Sequence, residues 1–432
     1  MRPTGARDSL RCDREALKLI TDVYRRLFRN RSFALLWSGQ TVSYFGDAFF
    51  NLAVMWVVWS ETQSTLQTAV IQAIWHLPDV LFAPLAGVFA DRWNRKAIMV
   101  TTNLGAAAVV GAVALIVVVA GYLPPVVAFV AIFKLNGLTT FMQPARASLM
   151  PSVVGNDLLT TAQGLFATAR ETAALVGSAT AGVLIAVAGT VWALAVDAVS
   201  FLFVALCVAL ARLPGRASAP ASEAGLGLSA RGIAGDLRDG WRRASHYPAV
   251  FALLWLGALI NVASLVGPLW PALVQERLGG GAEIYGLLLA ASAGGAMVGG
   301  LAAGPLERRF GAGRLLVTSW SLAGICTLGI AGSTWLAVTM VLEVVESGAI
   351  VAGMIATGAI TIASVPEAYR GRIFGILRGL SVVLIPVSAL IGGWIAEFVE
   401  IWLMFGFAGV LVLGVALLAW ANPHVRGARI EA

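Results

Sequence analysis

The feature that most restricts what this chain can become is a recurring run of about twenty apolar residues, broken by short basic connections. A chain of 432 residues that is 59% hydrophobic and 12% charged cannot hide that much apolar surface inside a water-soluble globule. In lipid the backbone must satisfy its own hydrogen bonds, so the runs are helices or strands of a closed barrel. Runs this long without period-2 alternation predict helices. Twelve membrane spans are expected, near residues 34–60, 66–89, 97–120, 125–143, 164–188, 191–211, 249–272, 284–305, 314–331, 334–363, 374–396 and 401–420.

Basic residues accumulate in cytoplasmic loops, and of the 30 Lys and Arg residues only Arg277 and Lys134 fall off the side that carries the rest. Both termini are therefore expected in the cytoplasm of a multi-pass cell-membrane protein. The same distribution accounts for the net charge of +7, so the lipid bilayer is the expected partner and nucleic acid is not. Cys12, Cys207 and Cys326 have no metal-type spacing, so neither a metal site nor a disulfide is implied. The first thirty residues lack an apolar core, and no cleavable signal is expected.

Composition divides the chain into a basic tail (1–32), a first six-helix bundle (33–211), a linker rich in Ala, Ser, Gly and Pro (212–248), a second bundle (249–420) and a short tail (421–432). The far end of the linker, from Asp236 to Tyr247, has the spacing of a short surface helix. The bundles echo one another. After span 2 stands Gly87-Val88-Phe89-Ala90-Asp91-Arg92-Trp93-Asn94-Arg95-Lys96; after span 8, Gly304, Arg309 and Phe310 fall where Gly87, Arg92 and Trp93 fall, with Arg308 in place of Asp91. Pro144-Ala145-Arg146 likewise answers Pro366 with Arg370-Gly371-Arg372.

The spacing Gly-x-x-x-Asp-Arg-x-x-Arg-Lys resembles the loop between helices 2 and 3 of the major facilitator superfamily. With Gly39, Ser43 and Gly46 in span 1, Gln143 to Arg146 through Met150-Pro151 to Ala162-Gln163, and Tyr369 to Arg372 with Pro386 and Gly392-Gly393, the chain resembles the third drug:proton antiporter group, which includes macrolide efflux pumps and an enterobactin exporter. The resemblance implies an all-α membrane protein of twelve helices in two pseudo-symmetric bundles, with alternating access around a central site. It assigns Gly87, Asp91, Arg92, Arg95, Lys96, Gly304, Arg308, Arg309, Arg370 and Arg372 to a conformational gate, Asp91 capping the amino end of helix 11. One departure stands in span 5, where Gly177-Ser178-Ala179-Thr180-Ala181-Gly182 lacks the Pro and one Gly of the usual Gly-Pro-x-x-Gly-Gly.

An ionised side chain in hydrocarbon costs at least about 2.5–3.5 kcal/mol and usually faces an interior or a wet cavity. Asp47, Lys134, Glu343 and Glu346 are embedded in spans 1, 4 and 10, and span 7 adds Asn261. In the superfamily, helices 1, 4, 7 and 10 line the cavity. Asp47, Asn51, Lys134, Asn261, Glu343 and Glu346 are therefore the expected proton and substrate residues, with Lys134 a candidate counter-ion to Asp47. Burial disfavours a carboxyl's charged form and a nearby cation favours it. Asp79 and Asp197 are expected to be structural, Glu171 to pair with Arg170, and Trp59, Trp192, Trp402 and Trp420 to sit at the membrane interfaces. Phe45, Phe49, Phe50, Trp56, Trp75, Phe133 and Phe141 remain as pocket candidates.

The expected function is secondary active transport: proton-coupled efflux of an amphipathic small molecule by a monomer, with no cofactor beyond the proton gradient. The alternatives are a dedicated carrier of a metabolite such as a siderophore, or a lipid-moving or sensing membrane protein. With no nucleophile–base pair, nucleotide loop or metal set in the sequence, an enzyme is not expected.

Overall fold

The computed structural model describes residues 21–213 and 246–428. All but the last two residues of the expected surface helix at 236–247, most of the amino-terminal tail and linker, and the end of the carboxy-terminal tail lie outside these residues. Within the described helices, the side chains of Gly87, Asp91, Arg92, Arg370, Arg372 and a few neighbours also lie outside the description.

Among the described residues the chain is helical without strands. The long helices are α1 (Arg31–Thr62), α2 (Thr65–Arg92), α3 (Arg95–Ala120), α4 (Pro125–Val154), α5 (Leu159–Ala188), α6 (Thr190–Leu210), α7 (Pro248–Leu278), α8 (Ala282–Phe310), α9 (Ala312–Gly332), α10 (Leu336–Ser364), α11 (Glu367–Ile395) and α12 (Ile401–Ala421). Among the described residues, eleven are long and apolar enough to cross a membrane. The remaining one, α2, has 28 residues and carries Gln67, Gln72, His76 and Asp79 between its first turn and its middle.

Several helices overrun the expected spans, because a helix ends where its caps lie rather than where the hydrocarbon does. Span 4 was expected to end at residue 143, but α4 continues through Pro144 and Pro151 to Val154, so Arg146 lies inside a helix instead of after it. Asp91 and Arg92 belong to the last turn of α2, and Arg370 and Arg372 to the first turns of α11. Asn94 then caps α3, its Oδ1 accepting from the N–H groups of Lys96 and Ala97. Tight reversals need the left-handed backbone that glycine supplies: Gly189 (φ 85°) alone joins α5 to α6, and Gly311 (φ 84°) alone joins α8 to α9.

Helix packing repeats with an offset of six. In the first half α1 packs on α6, α2 on α4, and α3 on both α4 and α6; in the second, α7 packs on α12, α8 on α10, and α9 on both α10 and α12. The joins between halves are also a related pair, α2 with α11 and α5 with α8. Small residues permit these approaches. A Cβ on Gly182 would lie 2.6 Å from the Ala282 carbonyl oxygen, and one on Gly286 would lie 2.9 Å from the Gly182 Cα. Just before the Gly177–Gly182 stretch, α5 makes a π-helical turn, Ala173–Gly177, whose Gly177 is set against Phe45 and Ala48 of α1.

One end of the molecule, here the far face, carries the ends of α1, α5, α7 and α11 and the starts of α2 and α8; the tail face is opposite. The far face is sealed by contacts between halves. Trp59 Nε1 donates to Gln275 Oε1 (2.7 Å), joining α1 to α7. Glu397, just beyond α11, accepts at Oε1 from Ser64 Oγ (2.7 Å), Thr65 Oγ1 (3.2 Å) and the Leu66 N–H (2.9 Å). Thr65 Oγ1 also donates to the Gly393 carbonyl (2.8 Å). Trp59 is 2% exposed, so it belongs to this seal and not to an interfacial belt; Trp192, Trp402 and Trp420 are exposed as expected of such a belt.

Candidate functional site

Below the seal a cavity of 670 Å³ lies between the halves, within the range of about 300–1,000 Å³ typical of a small-molecule site. Its walls come from α1 (Tyr44, Asp47, Asn51), α2 (Trp75), α4 (Asn136, Gln143), α5 (Arg170, Glu171), α6 (Asp197) and α8 (Tyr285, Ser292). Aromatic and aliphatic side chains, including Phe50, Met55, Phe201 and Leu289, fill the spaces between these polar groups.

Asp47 and Asp197 meet at this wall. Gly39, Ser43 and Gly46 form a buried face of α1 against α6, and a Cβ on Gly46 would fall 2.5 Å from Asp197 Oδ1. That approach places the two carboxyls within electrostatic reach of each other. Asp197 is 1% exposed. Its Oδ1 accepts from Ser200 Oγ (3.3 Å), while its Oδ2 is buried without a partner. Asp47 opens into the cavity, and no ion pair to either acid occurs among the described residues.

The cations near the cavity are already engaged. Arg170 pairs with its neighbour Glu171 at 2.9 Å. Arg146 Nη1 donates to Tyr44 Oη (2.9 Å), its Nη2 to Gln143 Oε1 (2.8 Å), and its guanidinium lies 5.3 Å from the Phe166 ring centroid. The cavity is thus acidic at one wall and carries a compensated Arg–Glu pair at another.

Of the six residues expected to bind proton or substrate, Asp47 and Asn51 line the cavity. Lys134 does not. It is exposed on the opposite face of α4, in an apolar groove between α3 and α4 lined by Val109, Ala112, Val113 and Val130, so it is no counter-ion to Asp47. The reason is helical phase: Leu135 and Asn136 face the cavity, and each residue turns the side chain by about 100°. Asn261 donates to Ser381 Oγ (2.9 Å), tying α7 to α11 just before α7 tightens into a 3₁₀ stretch, Ser264–Leu269. Glu343 and Glu346 are enclosed within the second half, facing α8 and α9.

Asp197 was expected to be structural and is a cavity residue. Its signal in the sequence was the embedded charge itself; what hid it was the expectation that α6 stands behind the cavity. Asp79 accepts from Thr140 Oγ1 (2.7 Å) and links α2 to α4. Of the aromatic pocket candidates, Phe50 and Trp75 reach the cavity. Trp56 stacks on Tyr285 (6.2 Å), and Phe133 and Phe141 pack on Phe82.

Among the gate residues, Lys96 Nζ donates to the carbonyls of Ala209 (2.7 Å) and Ala211 (2.8 Å), closing the carboxyl end of α6 where a cation is favourable. Arg95 Nη1 donates to the Ser148 carbonyl of α4 (3.4 Å). These contacts brace the first half internally. In the second half, the Arg308 side chain lies 3.9 Å from the Cβ position of Gly304, and Arg309 lies over Phe310 (5.3 Å). The expected cap of α11 by Asp91 falls on side chains outside the description.

The model of a family described as transmembrane secretion effectors matches residues 26–428. Among curated proteins, macrolide efflux protein A of Streptococcus pyogenes is 24% identical over 91% of this chain and 96% of its own length. The multidrug efflux pump Tap of Mycolicibacterium fortuitum is 24% identical over 88% and 93%. Among solved structures, a peptide transporter of the POT family (TM-score 0.69, 13% identity, 93% of this chain and 98% of that one) and a bacterial homologue of the lysosomal transporter Spinster in an inward-facing occupied conformation (0.68, 14%, 93% and 99%) share the fold.

Proposed function

The chain belongs to the transmembrane secretion effector family of major facilitator transporters, and from that membership we propose that it exports amphipathic small molecules in exchange for protons, by alternating access of the cavity between its halves. The observation that carries this reading is the Asp47–Asp197 pair on the cavity wall, one acid open to the cavity and the other buried beside it, with no cation paired to either among the described residues. A carboxylate held so costs at least about 2.5–3.5 kcal/mol, and a proton or a cationic group of the substrate removes that cost. Competition between the two for one site is what couples their opposite movement.

The sealed far face with the cavity beneath it supports an inward-facing state, with the tail face on the cytoplasmic side of the cell membrane. The apolar and aromatic wall suits an amphipathic substrate. The efflux proteins named above favour export over import. One net charge crossing 100 mV supplies about 2.3 kcal/mol, enough for roughly a fifty-fold gradient.

The test uses purified protein in liposomes with an internal pH dye, challenged with macrolides, tetracyclines, cationic dyes and catecholate siderophores. Substrate-evoked proton movement is expected with at least one amphipathic compound and is expected to disappear in Asp47→Asn. Transport that proceeds unchanged with the pH gradient collapsed would overturn the coupling.

A further inference from the structure

A second acid pair lies apart from the cavity acids. Glu343 and Glu346 stand three residues apart on α10, close to one α-helical turn. Glu343 is 5% exposed and its Oε2 is buried without a hydrogen-bond partner. The Ser292 side chain of α8 stands beside its carboxyl, and Ser347 Oγ donates to the Ser292 carbonyl (2.8 Å). Glu346 turns the other way, accepting at Oε1 from Thr327 Oγ1 of α9 (3.3 Å). Neither acid lines the cavity, but Ser292 does.

Nothing cationic faces this pair among the described residues. From α9 come Thr327 and the buried Cys326; from α8, Ser292; from α10 itself, Ser347. The basic residues of α8 and α9, Arg308, Arg309 and Arg314, are at the tail ends of those helices. On α7, Arg277 Nη2 donates to the Ala331 carbonyl at the far end of α9 (3.3 Å). On α11, Arg378 is seventeen residues from the far end whereas Glu343 is seven from it, a difference of about 15 Å in depth. α8 and α10 are pressed together here: a Cβ on Gly348 would lie 2.8 Å from the Gly295 carbonyl. A structural role alone does not require two carboxyls here, Glu343 buried and Glu346 half-buried, since well-packed apolar residues serve as well.

We propose that Glu343 and Glu346 form a second proton-binding site, carried in the second half and loaded from the cavity through the Ser292 hydroxyl. The inference rests on the proton-coupled reading and deepens it. In the loading step a hydronium ion in the cavity gives a proton to Ser292 Oγ as the Ser292 hydroxyl proton passes to the Glu343 carboxylate, leaving water in the cavity, so one proton enters and serine is regenerated. The first half then carries its proton at Asp47–Asp197 and the second at Glu343–Glu346, so that each half has its own load.

The experiment needs no substrate. Full-length protein in nanodiscs is titrated from acid to alkaline pH while infrared difference spectra follow the carboxylic-acid carbonyl stretch and a dye counts released protons. Two distinct carbonyl components are expected. Glu343→Gln with Glu346→Gln removes one and releases about one proton fewer per chain; Asp197→Asn removes the other. Ser292→Ala keeps both acids and is expected to slow proton loading in a pH jump without changing the equilibrium count, which separates a relay from a purely structural serine. An identical titration in wild type and double variant would overturn the proposal, because the pair then holds its protonation state throughout. Sodium chloride releasing protons at fixed pH from wild type but not from the double variant would overturn it in favour of a sodium site. Failure of the transport reading is visible separately, as silence of the wild type in liposomes while the infrared result stands.

Discussion

Asp47 and Lys134 are both charges embedded in apolar helices, yet they meet opposite surroundings: one opens to a polar cavity beside a second acid, the other to a groove of valine and alanine. A charge that serves nothing is only a cost, so Lys134→Leu is expected to leave substrate-evoked proton movement unchanged. Its melting temperature in detergent is expected to match wild type or exceed it, since about 2.5–3.5 kcal/mol of embedding cost is removed. Asp197→Asn is expected to abolish proton movement as Asp47→Asn does, while the melting transition survives. A fully coupled Asp197→Asn protein in the liposome assay would return Asp197 to the structural role expected of it. At Gly46 the constraint is space. Alanine there would press on Ser200 and Asp197, and a loss of about 1–3 kcal/mol is expected from overpacking, read as a lowered melting temperature together with lost coupling.

At the scale of elements, the far ends of α2 and α11 are held by one carboxylate. Burial pushes the Glu397 carboxyl up, but the hydrogen bonds from the Leu66 N–H and the Ser64 and Thr65 hydroxyls outweigh it and hold it below the usual glutamate range. A carboxyl bound more tightly as the anion stabilises the state that binds it above its free value, and that contribution is lost as pH falls through the bound value. The latch is therefore expected to be intact at neutral pH and to loosen only below the ordinary glutamate range. In an Ala69→Cys protein, whose thiol would lie under the latch beside Gly393, labelling by a membrane-impermeant maleimide is expected to be slow at neutral pH. Glu397→Gln is expected to speed it several-fold at neutral pH and to remove its acid dependence. Equal rates in both proteins would show that the Gly393 and Thr65 contacts hold the seal without the carboxylate.

For the whole molecule, the same six-helix packing scheme occurs twice, and the halves are joined by α2 with α11 and α5 with α8. If the halves rock against one another, the contacts sealing the far face must part in every cycle. Gln63 and Gln275 lie across that seal, 3.4 Å apart at their amide tips. Cysteines at both positions, joined by a short cleavable bifunctional thiosulfonate, are expected to arrest transport in liposomes and to release it on reduction. Undiminished transport in the cross-linked protein would rule out opening at this place.

By itself the sequence determined that the chain is a helical membrane protein with a basic face, because hydrocarbon thickness and backbone desolvation leave long apolar runs no other fold. It also disclosed the resemblance to the major facilitator superfamily, through the turn chemistry and charges after α2, and it marked Asp47, Glu343 and Glu346 as charges out of place. It did not tell where each charge faces. Direction around a helix changes by about 100° per residue, so a shift of one position separates Leu135 in the cavity wall from Lys134 in the lipid-side groove. Helix ends were misjudged where α4 runs on through Pro144 and Pro151 to Val154, beyond its apolar run. Only the tertiary structure decided that Asp197 joins Asp47 across Gly46, that Glu343 and Glu346 are enclosed between α8, α9 and α10, and that Glu397 closes on the start of α2. Each of these depends on which helices pack together and at what rotation, and residues 47 and 197, or 66 and 397, are brought together by packing that no local pattern in the chain records.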